Sequence, residues 1–195
     1  MLRNLALNPV TNVFKTMFNK YSNALIEKPY KTKMLTAAVL TIGCDGICQT
    51  VIEKKKLTKN YDYRRTLNLI LIGTFISAPL CHLWYMKGAP AICQAVSKNT
   101  KLYPYISMVA DQTLIATGSL SVFLFLSEYM KEFKVNDATH NVKRKFRHAI
   151  MANWKVWPPI ILINFLIIPP HFRVFFTNFI GFFWGIYLSY FQYNT

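Results

Sequence analysis

The sequence predicts an all-α protein, a multi-pass transmembrane bundle of four to five helices preceded by an amphipathic helix. Of its 195 residues, 53% are hydrophobic and only 16% are charged, whereas soluble domains usually carry about 25% charged residues. The apolar residues form runs close to the roughly 20 residues that cross a bilayer. The charges, 23 basic against 8 acidic, gather between these runs. We divide the chain into a basic N-terminal segment, residues 1–30, and one transmembrane domain, residues 31–195.

The N-terminal segment is basic and amphipathic. It contains Arg3, Lys15 and Lys20, has no acidic residue before Glu27, and places apolar residues at helical spacing after Pro9. Mitochondrial targeting segments have this character. The alternative is an interfacial helix that lies on the bilayer without an addressing role.

Three apolar runs are long enough to span a membrane, at residues 34–52, 66–86 and 105–127. The loops between runs, residues 53–65 and 131–147, are rich in Lys and Arg. We expect these two loops on the same side of the membrane and in contact with anionic lipids. Because the chain before the first span, residues 1–33, also has six basic residues and lies on the other side in this threading, charge does not settle the orientation.

The C-terminal part has two further apolar runs, residues 150–168 and 172–191, each next to a proline pair. Proline removes a backbone donor, and unpaired carbonyls are costly in lipid. We therefore expect a kink near Trp157, a break near Pro169 and two helices. Arg173 is expected to face the interface beside the break or to pair with Asp111 or Glu128. Trp154 and Trp157 are expected at headgroup depth.

Two carboxylates lie within predicted spans. Asp45 is near the middle of the first span, with Gln49 on the same helix face, and Asp111 with Gln112 opens the third. A charge at such a depth costs about 2.5 to 3.5 kcal/mol on insertion scales, so it needs a partner or a water-filled cavity. These four residues predict either the polar lining of a pore or a structural hydrogen-bond network. Gly43, beside Asp45, allows another helix to approach closely.

Catalytic motifs are absent from the sequence, which predicts a protein that is not an enzyme and has no metal or cofactor. Cys44 and Cys48 are four positions apart and would share a helix face, so a redox pair or a metal site with His82 is conceivable, but such thiols more commonly serve as small packing residues. The aromatic residues lie inside apolar runs rather than among Lys and Arg, which argues against nucleic-acid binding.

The order and spacing of several polar, aromatic and small residues resemble those of the Mpv-seventeen and peroxisomal membrane protein family. The resemblance covers residues 21–190. Its matching positions include Gly43, Asp45, Gln49, Arg65, Thr66, Pro79, Asp111, Gln112, Trp157, Pro158, Asn164, Phe165, Pro169, Arg173 and Trp184. The doubled prolines depart from the family pattern.

The resemblance implies an all-α fold in the mitochondrial inner membrane, with the peroxisomal membrane as the alternative. It also implies a channel-like, non-enzymatic role in small-solute permeability and mitochondrial homeostasis. The alternative function is a structural accessory subunit of a large inner-membrane assembly such as a respiratory complex. The expected partners are the lipid bilayer and either further copies of the chain or such a complex.

Overall fold

The computed structural model describes residues 9–168 and 173–194, which are mostly helical and contain no strand. The predicted all-α fold is therefore confirmed. We number the helices α1 (Pro9–Glu27), α2 (Pro29–Ile52), α3 (Tyr63–Val96), α4 (Thr100–Glu132), α5 (Val135–Leu166) and α6 (Arg173–Asn194).

Local sequence sets several of the helix ends. Pro29 stands at the first position of α2, where its missing N–H is not needed. The side chain of Asp62 caps α3 by accepting a hydrogen bond of 2.9 Å from the Arg65 backbone N–H. The last turn of α4 closes at Phe133, whose φ of 58° lies in the left-handed region.

Helix α3 is longer than the predicted span, since the span was expected to end at residue 86 and the helix continues to Val96. Pro79 and Pro90 would normally interrupt it, since each frees the carbonyl four residues earlier and crowds that turn. Those carbonyls belong to residues 75 and 86, which lie in two wide π turns, Gly73–Ser77 and Trp84–Gly88. A π turn relaxes the local hydrogen-bond ladder, so the helix absorbs both prolines.

The C-terminal part consists of two helices, as predicted. Helix α5 ends at Leu166 and α6 begins at Arg173. Helix α5 continues through Pro158 and Pro159 without ending. The break itself, with Pro169, falls outside the residues that the structure describes.

Three helices in the described ranges are long and apolar enough to cross a membrane, namely α2, α3 and α4. Their outer faces are apolar: on α2, Leu35, Val39 and Ile42 follow one another at helical spacing and are 67%, 59% and 49% exposed. Such a stripe suits contact with lipid rather than with water.

Five helices form a closed ring. Helix α2 packs against α3 and α6, α4 packs between α3 and α5, and α5 also contacts α6, while α1 lies outside the ring against α2. The contact between α2 and α6 is close, because a Cβ on Gly185 would lie 2.7 Å from Cys44 Sγ and one on Gly43 would lie 3.1 Å from the Phe182 ring.

The two basic loops lie at the same end of the ring, as predicted. Arg64, near the end of the first basic stretch, donates a hydrogen bond of 3.3 Å to the Met130 carbonyl, and its guanidinium lies 5.6 Å from the Phe133 ring centroid. We call this end, formed by residues 53–65 and 131–147, the basic end.

Candidate functional site

Two cavities lie inside the helix ring. The central cavity, of about 410 Å³, is lined by residues from all five ring helices, among them Leu40, Leu69, Phe123, Trp157 and Gly181. The outer cavity, of about 340 Å³, is also lined by all five, including Lys33, Tyr85, Asp111, Asn164 and Asn178. The cavities adjoin, because Trp157, Thr177 and Asn178 line both.

The outer cavity lies toward the end of the ring that is opposite the basic end. Lys33 lines the outer cavity and Asp45 lines the central one, 12 positions later on the same helix. At 1.5 Å per residue these positions are about 18 Å apart along α2. Since α2 ends at the basic end, the order along the ring axis is outer cavity, central cavity, basic end.

A buried polar network lies where the central cavity meets the basic end, and Asp45 and Ser189 of this network also line the cavity. We call it the closure network, and it consists of Asp45, Gln49, Glu53, Arg65, Thr66 and Ser189, contributed by α2, α3, α6 and the residue after α2.

Asp45 is fully buried and has partners for both carboxylate oxygens. Arg65 Nε lies 2.8 Å from Oδ1, and the Ser189 hydroxyl donates to Oδ1 at 2.6 Å. The Gln49 amide donates to Oδ2 at 2.8 Å, and the Thr66 hydroxyl donates to the same oxygen. The network therefore holds Asp45 as a neutralised, fully bonded carboxylate that joins three helices.

Arg65 extends the closure network to Glu53, just beyond the end of α2. Its Nη1 lies 2.8 Å from Glu53 Oε1, which also accepts from Asn194 at 2.8 Å, while Lys55 lies 2.7 Å from Oε2. Burial alone would raise the pKa of Glu53, but the hydrogen bonds from Lys55, Arg65 and Asn194 outweigh it and lower the pKa from 4.5 to about 2.

A second ionic cluster ties the other side of the ring at the basic end. Glu128 of α4 lies 2.9 Å from the Lys145 ammonium of α5 and 3.0 Å from that of Lys131. It also accepts a hydrogen bond of 2.9 Å from the Gln192 amide of α6. The Tyr193 ring connects this cluster to the closure network, because Arg65 Cζ and Lys131 Nζ lie 4.3 and 4.5 Å from its centroid. All five ring helices are thus bonded together at this end.

Asp111 and Gln112 form a separate polar group near the outer cavity, on a π turn of α4. The Gln112 amide donates to Asp111 Oδ2 at 3.1 Å, and the Tyr85 hydroxyl donates to Oδ1 at 3.1 Å. The Asn153 amide of α5 donates to Gln112 Oε1 at 2.7 Å. The partners of Asp111 that the structure describes are therefore neutral, and none of the described cationic side chains lies within 4 Å of it.

The predicted site residues are thus brought together as two pairs rather than as one group. Asp45 with Gln49 belongs to the closure network, and Asp111 with Gln112 lies by the outer cavity. Trp157 lines both cavities, so its indole lies against the interior of the ring.

Of the remaining predicted positions, Pro158 lies inside α5, and Asn164 lines the outer cavity with a buried side-chain oxygen that has no partner. The side chains of Phe165 and Arg173, and the whole of Pro169, lie outside the described part of the chain. The expected pairing of Arg173 therefore stays a prediction.

Several residues of the site were not predicted from the sequence. Arg65 was counted with a basic loop, although an intramembrane Asp45 requires a counter-charge, and Glu128 with Lys145 was not predicted as a pair. The Lys33 ammonium, which donates to His82 Nδ1 at 2.9 Å, was also missed. The sequence does contain a signal for it, because Lys33 directly precedes the first predicted span.

The cysteine residues offer no metal site. All four are free, and within the described ranges no group of three or more His, Cys, Asp and Glu residues could hold a metal ion. Cys44 instead donates a weak hydrogen bond of 3.2 Å to the Phe182 carbonyl, so it serves the contact between α2 and α6.

These features define a polytopic α-helical membrane protein with an internal, polar-ended cavity system. The model of the Mpv17 / PMP22 family matches residues 129–189. PXMP2/4 family protein 3 of Dictyostelium discoideum is 33% identical over 171 residues, which are 87% of either chain. The chain belongs to the Mpv17 / PMP22 family, as the resemblance implied.

Two further relatives agree over most of their length. The mitochondrial inner membrane protein Mpv17 of Danio rerio is 28% identical over 89% of this chain and 95% of its own. Protein SYM1 of Gibberella zeae is 31% identical over 87% and 93%. The names of these relatives confirm the predicted location in the mitochondrial inner membrane. The PXMP2/4 name fits the peroxisomal alternative. No solved structure matches the chain.

Proposed function

We propose that the helix ring is a channel-like pathway for small solutes that is closed at the basic end. The observation that carries the proposal is the pair of adjoining cavities, about 410 and 340 Å³, each lined by residues of all five ring helices. Ligand and solute sites in helix bundles are formed in this way, between facing helices.

The pathway would end at the closure network. Asp45, Arg65 and Ser189 connect α2, α3 and α6 there through buried contacts of 2.6 to 2.8 Å. A pathway that is closed by ion pairs and hydrogen bonds opens when these contacts are exchanged for others, a two-state change of the kind that gates transport proteins.

Solute flux in liposomes tests the proposal. Purified protein should release entrapped small solutes faster than empty vesicles do, with larger solutes retained. Flux equal to that of empty vesicles, at every applied potential, would refute the pathway.

A cavity-filling substitution identifies the route. Ala78 lines the central cavity, whereas Ile76 on the same helix is 42% exposed on the lipid face. Ala78→Phe should reduce flux toward the empty-vesicle value. Ile76→Phe places the added phenyl group on the outside of the helix bundle and should leave the flux unchanged. Equal effects of both variants would place the route elsewhere.

Asp45→Asn tests the closure. The neutral amide cannot balance the Arg65 charge, so we expect the closed state to weaken and the flux to rise. Asp137→Asn is the matched control. The Asp137 side chain is exposed, and its contact with Lys134, at 3.9 Å, lies on the surface of the protein. Reduced flux in Asp45→Asn, with the protein still folded by circular dichroism, would contradict the closure.

A further inference from the structure

The outer cavity has two charged groups that have no ionic partner among the side chains that the structure describes. Among the described residues that line it, Lys33 and Asp111 are the two charged ones. The Lys33 ammonium donates to the His82 ring, and Asp111 accepts from the Tyr85 hydroxyl and the Gln112 amide. Among the described side chains neither charged group forms a salt bridge, and the two do not pair with each other.

This arrangement is costly in a membrane protein. A charge within a span is normally paired or solvated, and a lone carboxylate or ammonium is expensive to bury. Asp111 and His82 are 8% and 7% exposed, whereas Lys33 is half-buried, so the acidic side of the site is withdrawn from solvent. The opposite signs cancel over the cavity as a whole, and a ligand that has both charges would neutralise each group locally.

A third observation points to a bound solute. The side-chain oxygen of Asn164 is buried, lines the outer cavity and has no hydrogen-bond partner. Buried acceptors are nearly always satisfied, so an orphan of this kind calls for a donor. The lining also includes Trp157, whose aromatic surface attracts an ammonium group, and the hydroxyl-bearing Ser107.

We propose that the outer cavity binds a small zwitterionic solute, whose anionic group contacts Lys33 and whose ammonium group contacts Asp111 and the Asn164 carbonyl oxygen. A volume of about 340 Å³ falls at the lower end of the range for small-molecule sites. The physiological role of the site rests on the pathway proposed above, for which it would be the entry position away from the basic end.

Matched four-carbon probes test the assignment directly. The probes are 4-aminobutyrate, which has both charges, butyrate, which has the anion alone, and butylamine, which has the cation alone. Calorimetric titration of the detergent-solubilised full chain should give an affinity for the zwitterion about tenfold or more above that for either singly charged probe. Glycine, β-alanine and 6-aminohexanoate vary the separation of the two charges, and one length should bind best.

Charge-removing variants assign each end of the ligand. Asp111→Asn should weaken binding of 4-aminobutyrate and butylamine but not of butyrate, and Lys33→Gln should weaken binding of 4-aminobutyrate and butyrate but not of butylamine. The controls are Asp137→Asn and Lys31→Gln, whose side chains lie on the surface. Unchanged affinities in both cavity variants would overturn the site.

Asn164→Leu provides a variant that does not depend on removing a charge. Leucine has a similar shape and removes the buried oxygen that has no partner, a change that can be nearly neutral for folding, so this chain should fold and bind 4-aminobutyrate several-fold more weakly. Retained affinity in the folded variant would overturn the role of Asn164.

The two proposals fail separately. Liposome flux with no preference for any zwitterionic probe would remove the binding site and leave the pathway. Selective binding of a zwitterion with no flux would support the site and refute the pathway.

Discussion

Arg65→Gln should be among the most destabilising substitutions in this protein. The Arg65 and Asp45 side chains are 2% and 1% exposed, and Arg65 also lies 2.8 Å from Glu53 and 2.7 Å from the Ser189 hydroxyl. Glutamine removes the charge shared by two buried carboxylates, and breaking a buried pair by deleting one partner costs about 3 to 5 kcal/mol.

The neighbouring residue provides a matched control. Arg64 is exposed and makes one hydrogen bond of 3.3 Å to a carbonyl together with its contact to the Phe133 ring. Arg64→Gln, with the same change in net charge, should cost less than about 1 kcal/mol.

Equilibrium unfolding in mixed detergent micelles, followed by circular dichroism, measures both variants. The double variant Asp45→Asn with Arg65→Gln should be less destabilised than the sum of the two single variants, because the remaining buried charge has been removed. Equal free energies of unfolding for Arg65→Gln and Arg64→Gln would refute the view that Arg65 stabilises the bundle through buried carboxylates.

Three further predictions concern packing, pH and assembly. Gly185→Ala should destabilise the protein by about 1 to 3 kcal/mol, since the added Cβ would lie 2.7 Å from Cys44 Sγ. Gly118→Ala is the control and should not destabilise the protein, because no atom lies within 4 Å of the added Cβ. Unfolding in detergent micelles compares the two variants. Because the pKa of Glu53 is lowered in the folded state, the stability that Glu53 contributes should be complete above its ordinary pKa of 4.5 and lost as the pH falls toward about 2. Between about pH 2 and 6 the free energy of unfolding should therefore depend less on pH in Glu53→Gln than in the unmodified protein. On native gels after mild detergent extraction, the chain should migrate as a monomer or small oligomer, and comigration with a large complex would favour the accessory-subunit alternative instead.

The helices could be predicted from the sequence because hydropathy and length constrain a membrane chain strongly. The apolar runs at residues 34–52, 66–86 and 105–127 correspond to α2, α3 and α4, and the prolines near residue 169 predicted the break before α6. The length of α3 could not be predicted, since proline in isolation signals an ending and the π turns that accommodate Pro79 and Pro90 depend on tertiary context.

The partners within the site were harder to predict than the site itself. Asp45 and Asp111 stand out in the sequence because a carboxylate in a span needs an explanation. The counter-charge of Asp45 lies 20 positions away on the next helix, and its Ser189 partner lies 144 positions away. Such pairings depend on how the helices close into a ring, which neither periodicity nor composition determines.

The position of Arg65 also bears on how the chain enters the bilayer during biogenesis. Asp45 and Arg65 belong to consecutive helices that are joined by a short loop, so α2 and α3 can insert as a hairpin whose two charges neutralise each other before any other helix is present. Ser189 and Tyr193 arrive with α6, the last helix in the described part of the chain. Until that helix docks, the Gly43 face of α2 lacks the helix that covers it in the complete bundle.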